Sequence, residues 1–142
     1  MAGIVLVGVD GSDTAQKAAQ RAASIAQGLG VGLAVVTAHA TDNTEVVRIG
    51  RDTWVMDDAE QALKLAEHSA ELLRQDYPGL EITPVAALGK PQDALVEEAE
   101  RSGAQMIVVG NVGMKGLGRL LGSVATSVAH HAPCDVLIAK TS

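Results

Sequence analysis

The amino-acid sequence predicts one α/β domain, built as a doubly wound parallel sheet of five strands with helices on both faces. Short, continuous apolar segments alternate strictly with segments of helical period, as in parallel strands that are covered on both faces. The chain has 142 residues, which suits one domain, and 47% of them are hydrophobic, which is enough for a core. Since Phe is absent, that core has to be built from Val, Ile, Leu and Ala.

The first three predicted elements are a strand, a helix and a strand. Residues 4–9 form a continuous apolar run that favours a buried parallel strand. Residues 10–13 supply turn and N-cap residues, and the helix that follows is expected to end at Gly28 and Gly30. Residues 33–38 predict the second strand.

The middle of the chain predicts a loop, a helix and an edge strand. Residues 41–56 are polar and mixed without a clear period, so we expect a loop there with at most a short helical turn. The next helix starts at residues 57–58, and residues 78–79 (Pro-Gly) close it. Residues 81–87 predict the third strand, at an edge of the sheet, because Pro84 cannot donate to a ladder.

The last part of the chain predicts two more helices and two more strands. A turn at residues 89–91 leads into a helix over residues 92–102, with Pro91 near its first position. Residues 105–109 predict the fourth strand. The last helix is expected over residues 123–132 and the last strand over residues 135–139.

A glycine-rich segment, residues 110–123, connects the fourth strand to the last helix. Glycines let backbone N–H groups approach an anion, and a helix start adds free donors and a positive dipole end. Lys115 and Arg119 add positive charge, so the segment predicts a phosphate site. If the first and fourth strands are neighbours where the strand order reverses, Asp10 faces the same crevice. The segment is not a P-loop, and a dinucleotide motif would need glycine where Leu121 stands.

The same segment resembles the nucleotide-binding branch of the universal stress protein family, which carries G-x2-G-x9-G-[ST] after its fourth strand. Four residues match that frame: Gly110, Gly113, Gly122 and Ser123. Eight residues, not nine, separate the second and third glycines. The resemblance extends over nearly the whole chain, through residues 7–12, 89–91, 107–110 and 131–138.

This resemblance implies a single flavodoxin-like domain over residues 1–142, with strand order 3-2-1-4-5, and a homodimer paired through the last strand. It implies a stress-response sensor or buffer that binds ATP, AMP or cyclic AMP, with Mg²⁺ as an option when ATP is bound. The implied base and ribose contacts are Gly8, Val9, Asp10 and Ala38. The implied ribose and phosphate contacts are Gly110, Asn111, Gly113, Gly122, Ser123 and Val124. The charges of Lys115 and Arg119 make these two residues candidates for further phosphate contacts, and the alternative is that both are solvated loop charges. The shorter loop either favours a monophosphate or cyclic phosphate, or is absorbed by Gly116 and Gly118.

Simpler roles for several of these residues stay open. Asp10 could only start a turn and cap the first helix, and Ser123 could be only an N-cap. His130 and His131 suit the negative end of a helix better than a metal site, because adjacent residues on a helix do not face each other. We expect Cys134 to be a small core residue.

Composition excludes several functions. A net charge of −6 and only one Trp and one Tyr argue against a nucleic-acid partner. One cysteine, no signal-peptide pattern and no apolar stretch of membrane-spanning length predict a cytoplasmic protein without a membrane partner. No metal-ligand spacing and no nucleophile–base pair is evident, so no catalytic residue is predicted. Two alternatives remain: slow ATP hydrolysis or autophosphorylation, with Ser123 and Thr126 near the phosphates, and a dimeric interaction module that has lost its ligand.

Overall fold

The computed structural model describes residues 3–40, 44–49, 52–112 and 122–141. Within those ranges the chain forms seven strands and four helices. In chain order they are β1 (Ile4–Gly8), α1 (Asp13–Leu29), β2 (Gly32–His39), β3 (Thr44–Ile49), β4 (Asp52–Asp57), α2 (Asp58–Asp76), β5 (Ile82–Leu88), α3 (Pro91–Ser102), β6 (Met106–Gly110), α4 (Ser123–His131) and β7 (Asp135–Ala139).

Five of the strands form one parallel sheet in the order β5-β2-β1-β6-β7. Counted along the main sheet, this is the order 3-2-1-4-5, so the predicted topology is confirmed. The chain runs outward from β1 through β2 to β5 and then returns to the other side of β1 with β6. The strand order therefore reverses between β1 and β6, which is where an open α/β sheet usually binds its ligand.

Helices cover both faces of this sheet. Side chains on both faces of β1 are therefore buried, which explains why the β1 sequence is apolar throughout. Val5 and Val7 pack into the core under α1 and α2, whereas Leu6 packs into the core under α3 and α4. All three side chains are fully buried. Helix α1 packs against the sheet through alanines, which let the helix lie close to the strands: Ala18, Ala19, Ala22, Ala23 and Ala26.

Strands β3 and β4 form an antiparallel hairpin, with Thr44 opposite Asp57 and Ile49 opposite Asp52. The expected loop over residues 41–56 is therefore wrong. Charged residues interrupt any single period across this segment, although both strands carry the β-branched residues that suit extended structure. Pairing between the two short segments, rather than a regular pattern within either, defines the hairpin.

The other elements match their predicted bounds to within one or two residues, and β7 matches them fully. Gly28 lies inside α1 instead of ending it. Gly30 alone supplies the left-handed C-cap, with φ of 70°, and its N–H donates to the carbonyls of Ala26 and Gln27. Pro84 lies on β5 opposite Val35, and β5 is an edge strand as predicted. Within the described ranges, no helix combines the length and apolarity that a bilayer crossing needs.

Candidate functional site

A cavity of about 130 Å³ opens at the carboxyl ends of β1, β2 and β6, on the side of α3 and α4. Seven residues from the sequence prediction line it: Gly8, Val9, Asp10, Ala38, Gly110, Gly122 and Val124. The lining also includes residues that the prediction did not place at the site: Ser12, Thr14, Ala15, Val36, Pro91, Leu95, Val109, Val112 and Ala125. Most of these are apolar, and nothing in their local pattern distinguishes them from core residues.

Five predicted contact residues do not belong to that lining as described. Asn111 and Ser123 lie beside the cavity, next to Gly110 and Gly122. Gly113, Lys115 and Arg119 fall outside the described residues. Whether any of the twelve predicted residues contacts a ligand stays a prediction.

The starts of three helices reach this cavity, those of α1, α3 and α4. Each helix start carries a partial positive charge and N–H groups without an intrahelical acceptor. In α1 the Ser12 side chain is the cap, accepting from Ala15 N–H at 3.2 Å. Helix α4 has no side-chain cap among the described residues. Helix α3 has no side-chain cap either, but it starts at Pro91, which has no N–H, and its Asp93 N–H donates to the Lys90 carbonyl at 3.0 Å. The first-turn amides of α4 are therefore the donors best placed to receive an anion.

Gly122, not Ser123, is the N-cap of α4. Its backbone is extended, with φ of −63° and ψ of 155°, and its carbonyl accepts from Thr126 N–H at 3.1 Å. Ser123 is the first helical residue and is exposed. The open alternative in which Ser123 serves as the N-cap is thus wrong, because the chain turns into the helix one residue earlier. The Thr126 hydroxyl is also engaged, donating to the Gly122 carbonyl at 3.1 Å.

Asp10 organises the turn between β1 and α1. Its Oδ1 accepts from Ser12 N–H at 2.9 Å and from Ser12 Oγ at 2.5 Å, which closes the turn over Gly11 at φ of 88°. The turn role of Asp10 is confirmed, although the helix cap itself is Ser12. Within the described ranges Asp10 Oδ2 has no partner, and Asp10 is the one charged side chain in the cavity lining.

Gly8 lets helix α3 lie directly on β1 at the cavity floor. A Cβ at this position would come within 2.9 Å of Leu95 Cδ1 and 3.0 Å of Leu95 Cδ2. Leu95 is only 3% exposed, so it has little room to move away from such a group except toward the cavity. The floor of the cavity therefore depends on the absence of a side chain here.

The Asn111 side chain holds the chain beyond β7. Its Oδ1 accepts from Thr141 N–H at 2.8 Å and from the Thr141 hydroxyl at 3.2 Å. Thr141 is buried. Sequence reasoning missed Thr141, because its partner lies 30 residues away.

The remaining candidate residues have structural surroundings. Cys134 is half-buried against the core under α3 and α4, as expected, and this burial, assisted by the charge of Asp135, raises the pKa of its thiol. His131 Nδ1 lies 2.9 Å from the Ser127 carbonyl at the end of α4. No three His, Cys, Asp or Glu side chains in the described ranges form a group that could hold a metal ion.

The sequence model of the universal stress protein family matches residues 1–140. This chain belongs to the universal stress protein family. A relative from Mycobacterium tuberculosis is 34% identical over 142 residues, covering 97% of this chain and 96% of that protein. A universal stress protein of Mycobacterium bovis is 37% identical over 139 residues, covering 97% of this chain and 45% of its own length. The chain thus spans about half the length of several curated relatives that it matches, among them the Mycobacterium bovis protein.

Solved structures of this family share the fold. A universal stress protein in complex with cAMP is 33% identical to this chain, with a TM-score of 0.74 and coverage of 99% of this chain and 98% of that one. A universal stress protein from Archaeoglobus fulgidus in complex with dAMP is 26% identical, with a TM-score of 0.69 and coverage of 97% of both chains. These likenesses confirm the predicted fold class and family.

Proposed function

We propose that this universal stress protein binds an adenine nucleotide in the cavity between β1 and β6. One observation carries the proposal: at a mainly apolar cavity, the described residues leave the start of α4 without a side-chain cap and Asp10 Oδ2 without a partner. A nucleotide has the matching parts, a phosphate anion, a hydroxyl-bearing sugar and a flat base. The cAMP and dAMP complexes of the two relatives support the same ligand class.

The chemistry of the walls orients the ligand. The phosphate belongs at the start of α4, where backbone N–H groups and the helix dipole favour negative charge. The ribose belongs near Asp10, whose free carboxylate oxygen accepts from a sugar hydroxyl. The base then lies toward Val36 and Ala38 at the end of β2, where the lining is apolar.

We further propose that AMP or cyclic AMP binds better than ATP. Asp10 is negative, and the described lining contains no Lys or Arg to offset a triphosphate. Lys115 and Arg119, the predicted phosphate contacts, lie outside the described residues. Mg²⁺ enters only with ATP, whose phosphates would supply most of its ligands, because Asp10 is the one carboxylate in this lining.

The wider biological role follows the family. We propose a cytoplasmic sensor or buffer of the nucleotide in the stress response, without a dedicated reaction. A second copy of the chain is the proposed partner, paired along β7. This strand lies at the edge of the sheet, with half-buried Val136, Leu137 and Ile138, and an edge strand can pair with another chain. Slow ATP hydrolysis remains an untested alternative.

The proposal is tested by calorimetric titration of the purified protein with cyclic AMP, AMP and ATP, together with native mass spectrometry for nucleotide that co-purifies. We expect saturable heat with cyclic AMP or AMP at one site per chain, and weaker binding of ATP. Absence of heat and of thermal stabilisation with all three nucleotides would contradict it. Tighter binding of ATP would retain nucleotide binding but overturn the preference for a single phosphate.

A further inference from the structure

Asn111 joins three segments of the chain at the end of β6. Its N–H donates to the Ala139 carbonyl at 2.8 Å, which extends the pairing of β6 with β7. Its own carbonyl accepts from Gly122 N–H at 3.1 Å, at the start of α4. Its side-chain Oδ1 accepts twice from Thr141, at 2.8 Å and 3.2 Å.

Thr141 completes this junction from the far end of the chain. It is only 5% exposed, and a Cβ at Gly110 would be in ordinary contact with its Oγ1 at 3.5 Å and its Cγ2 at 3.6 Å. Thr141 therefore lies over the end of β6. Because the Thr141 N–H can only donate, the Asn111 atom that faces it must be the oxygen, which fixes the orientation of the amide.

We infer that Asn111 and Thr141 are positioning residues for the nucleotide site, acting through Gly122 rather than by contact with the ligand. Thr141 holds the side chain of Asn111 in place. The Asn111 carbonyl, which accepts from Gly122 N–H, then positions Gly122 and the first turn of α4 next to Gly110. The phosphate donors proposed above are the amides of that turn. The inference thus rests on the proposed function, gives Asn111 a positioning role in place of the ligand contact that the resemblance implies, and adds Thr141 to the site.

The test is a double-mutant cycle with Asn111→Leu and Thr141→Val, read by cyclic AMP titration and by hydrogen exchange of the Gly122 amide in the ligand-free protein. Leu removes the acceptor and keeps the branched shape of the side chain at a larger volume, whereas Val replaces only the threonine hydroxyl with a methyl group. The matched control is Thr37→Val. Thr37 is 4% exposed, and its hydroxyl has no partner in the described part of the chain. Its side chain lies on the face of β2 opposite to Val36 and Ala38, which line the cavity.

We expect Asn111→Leu to weaken cyclic AMP binding about tenfold and Thr141→Val about threefold, both with faster exchange at Gly122. In the Asn111→Leu background, Thr141→Val should have no further effect, because the acceptor is already gone. Thr37→Val should leave affinity and Gly122 exchange unchanged.

Wild-type Gly122 protection in both single variants, or lost protection with unchanged affinity, would overturn the inference. Additive effects of the two substitutions would also contradict a shared contact. If the unmodified protein binds none of the nucleotides, the proposed function fails. The exchange measurement then still decides whether Asn111 and Thr141 hold the start of α4.

Discussion

At the scale of single residues, the cavity depends on Gly8, which has no side chain, and on Asp10, whose carboxylate uses one of its two oxygens in hydrogen bonds of the described chain. Because Gly8 has no side chain, Leu95 can lie directly on β1 at the cavity floor. Asp10 Oδ1 accepts the hydrogen bonds of the turn, while Oδ2 has no partner in the described ranges. The sequence predicted both residues as part of the site. It could not show that Gly8 acts through Leu95, because that contact depends on how α3 lies against β1.

Gly8→Ala is expected to destabilise the protein by about 1–2 kcal/mol, because the new methyl group overpacks against Leu95. It should also weaken nucleotide binding, since Leu95 can yield only toward the cavity. The matched control is Gly28→Ala in α1, where a Cβ would meet nothing within 4 Å and alanine favours the helix by about 0.5 kcal/mol. Denaturant unfolding and calorimetric titration of both variants measure these effects. Equal stability of the two would show that Leu95 adapts freely.

At the scale of elements, the feature that matters is the difference between the starts of α1 and α4, two of the three helices that start at the cavity. Helix α1 satisfies its first turn with the Ser12 side chain, whereas α4 starts at Gly122 and has no side-chain cap in the described ranges. Glycine at an N-cap offers no side-chain acceptor, so the first-turn amides of α4 remain available to an external anion. The sequence left this open, because Ser123 could have been the N-cap, whereas the structure has Gly122 at that position.

Ser123→Pro tests whether those amides hold the phosphate. Proline suits the first position of a helix, and the extended ψ of 155° at Gly122 accommodates a following proline, so α4 should persist while one N–H is lost. Because hydrogen bonds to charged groups are strong, we expect at least a tenfold loss of cyclic AMP affinity. Ser123→Ala, which removes only the hydroxyl, measures how much the Ser123 side chain contributes to cyclic AMP affinity. Circular dichroism checks the helix, and equal affinity of both variants would place the phosphate elsewhere.

At the scale of the whole molecule, an acidic protein is expected to bind an anion. The chain carries a net charge of −6, so its average field opposes a nucleotide, and the opposition grows with ligand charge. Local donors have to overcome it, and among the described residues at the cavity these are the N–H groups at helix starts. This balance makes ligand selectivity depend on ionic strength.

The preference for cyclic AMP over ATP should narrow as salt rises. Repulsion by the average field acts over distances comparable to the Debye length, which shrinks from roughly 30 Å at about 0.01 M to about 8 Å at about 0.15 M ionic strength. Screening of this repulsion raises the affinity for the singly charged cyclic nucleotide only a little, whereas it raises the affinity for the more highly charged ATP more. Competitive titration at low and at physiological salt, with adenosine as the uncharged control, measures the change. A constant ratio of the two affinities would show that local contacts alone set the selectivity.

The sequence by itself determined the alternation of strands and helices, and it singled out Gly110 and Gly122, which line the cavity. These features are local or periodic, so they are visible in short segments such as residues 4–9. The sheet order came from the resemblance of the sequence to the universal stress protein family. The tertiary structure decided that residues 44–49 pair with residues 52–57, that Leu95 lies on Gly8, and that Thr141 reaches Asn111. The physical reason is distance along the chain, because these contacts join segments that become neighbours only once the register and order of the strands have brought them together.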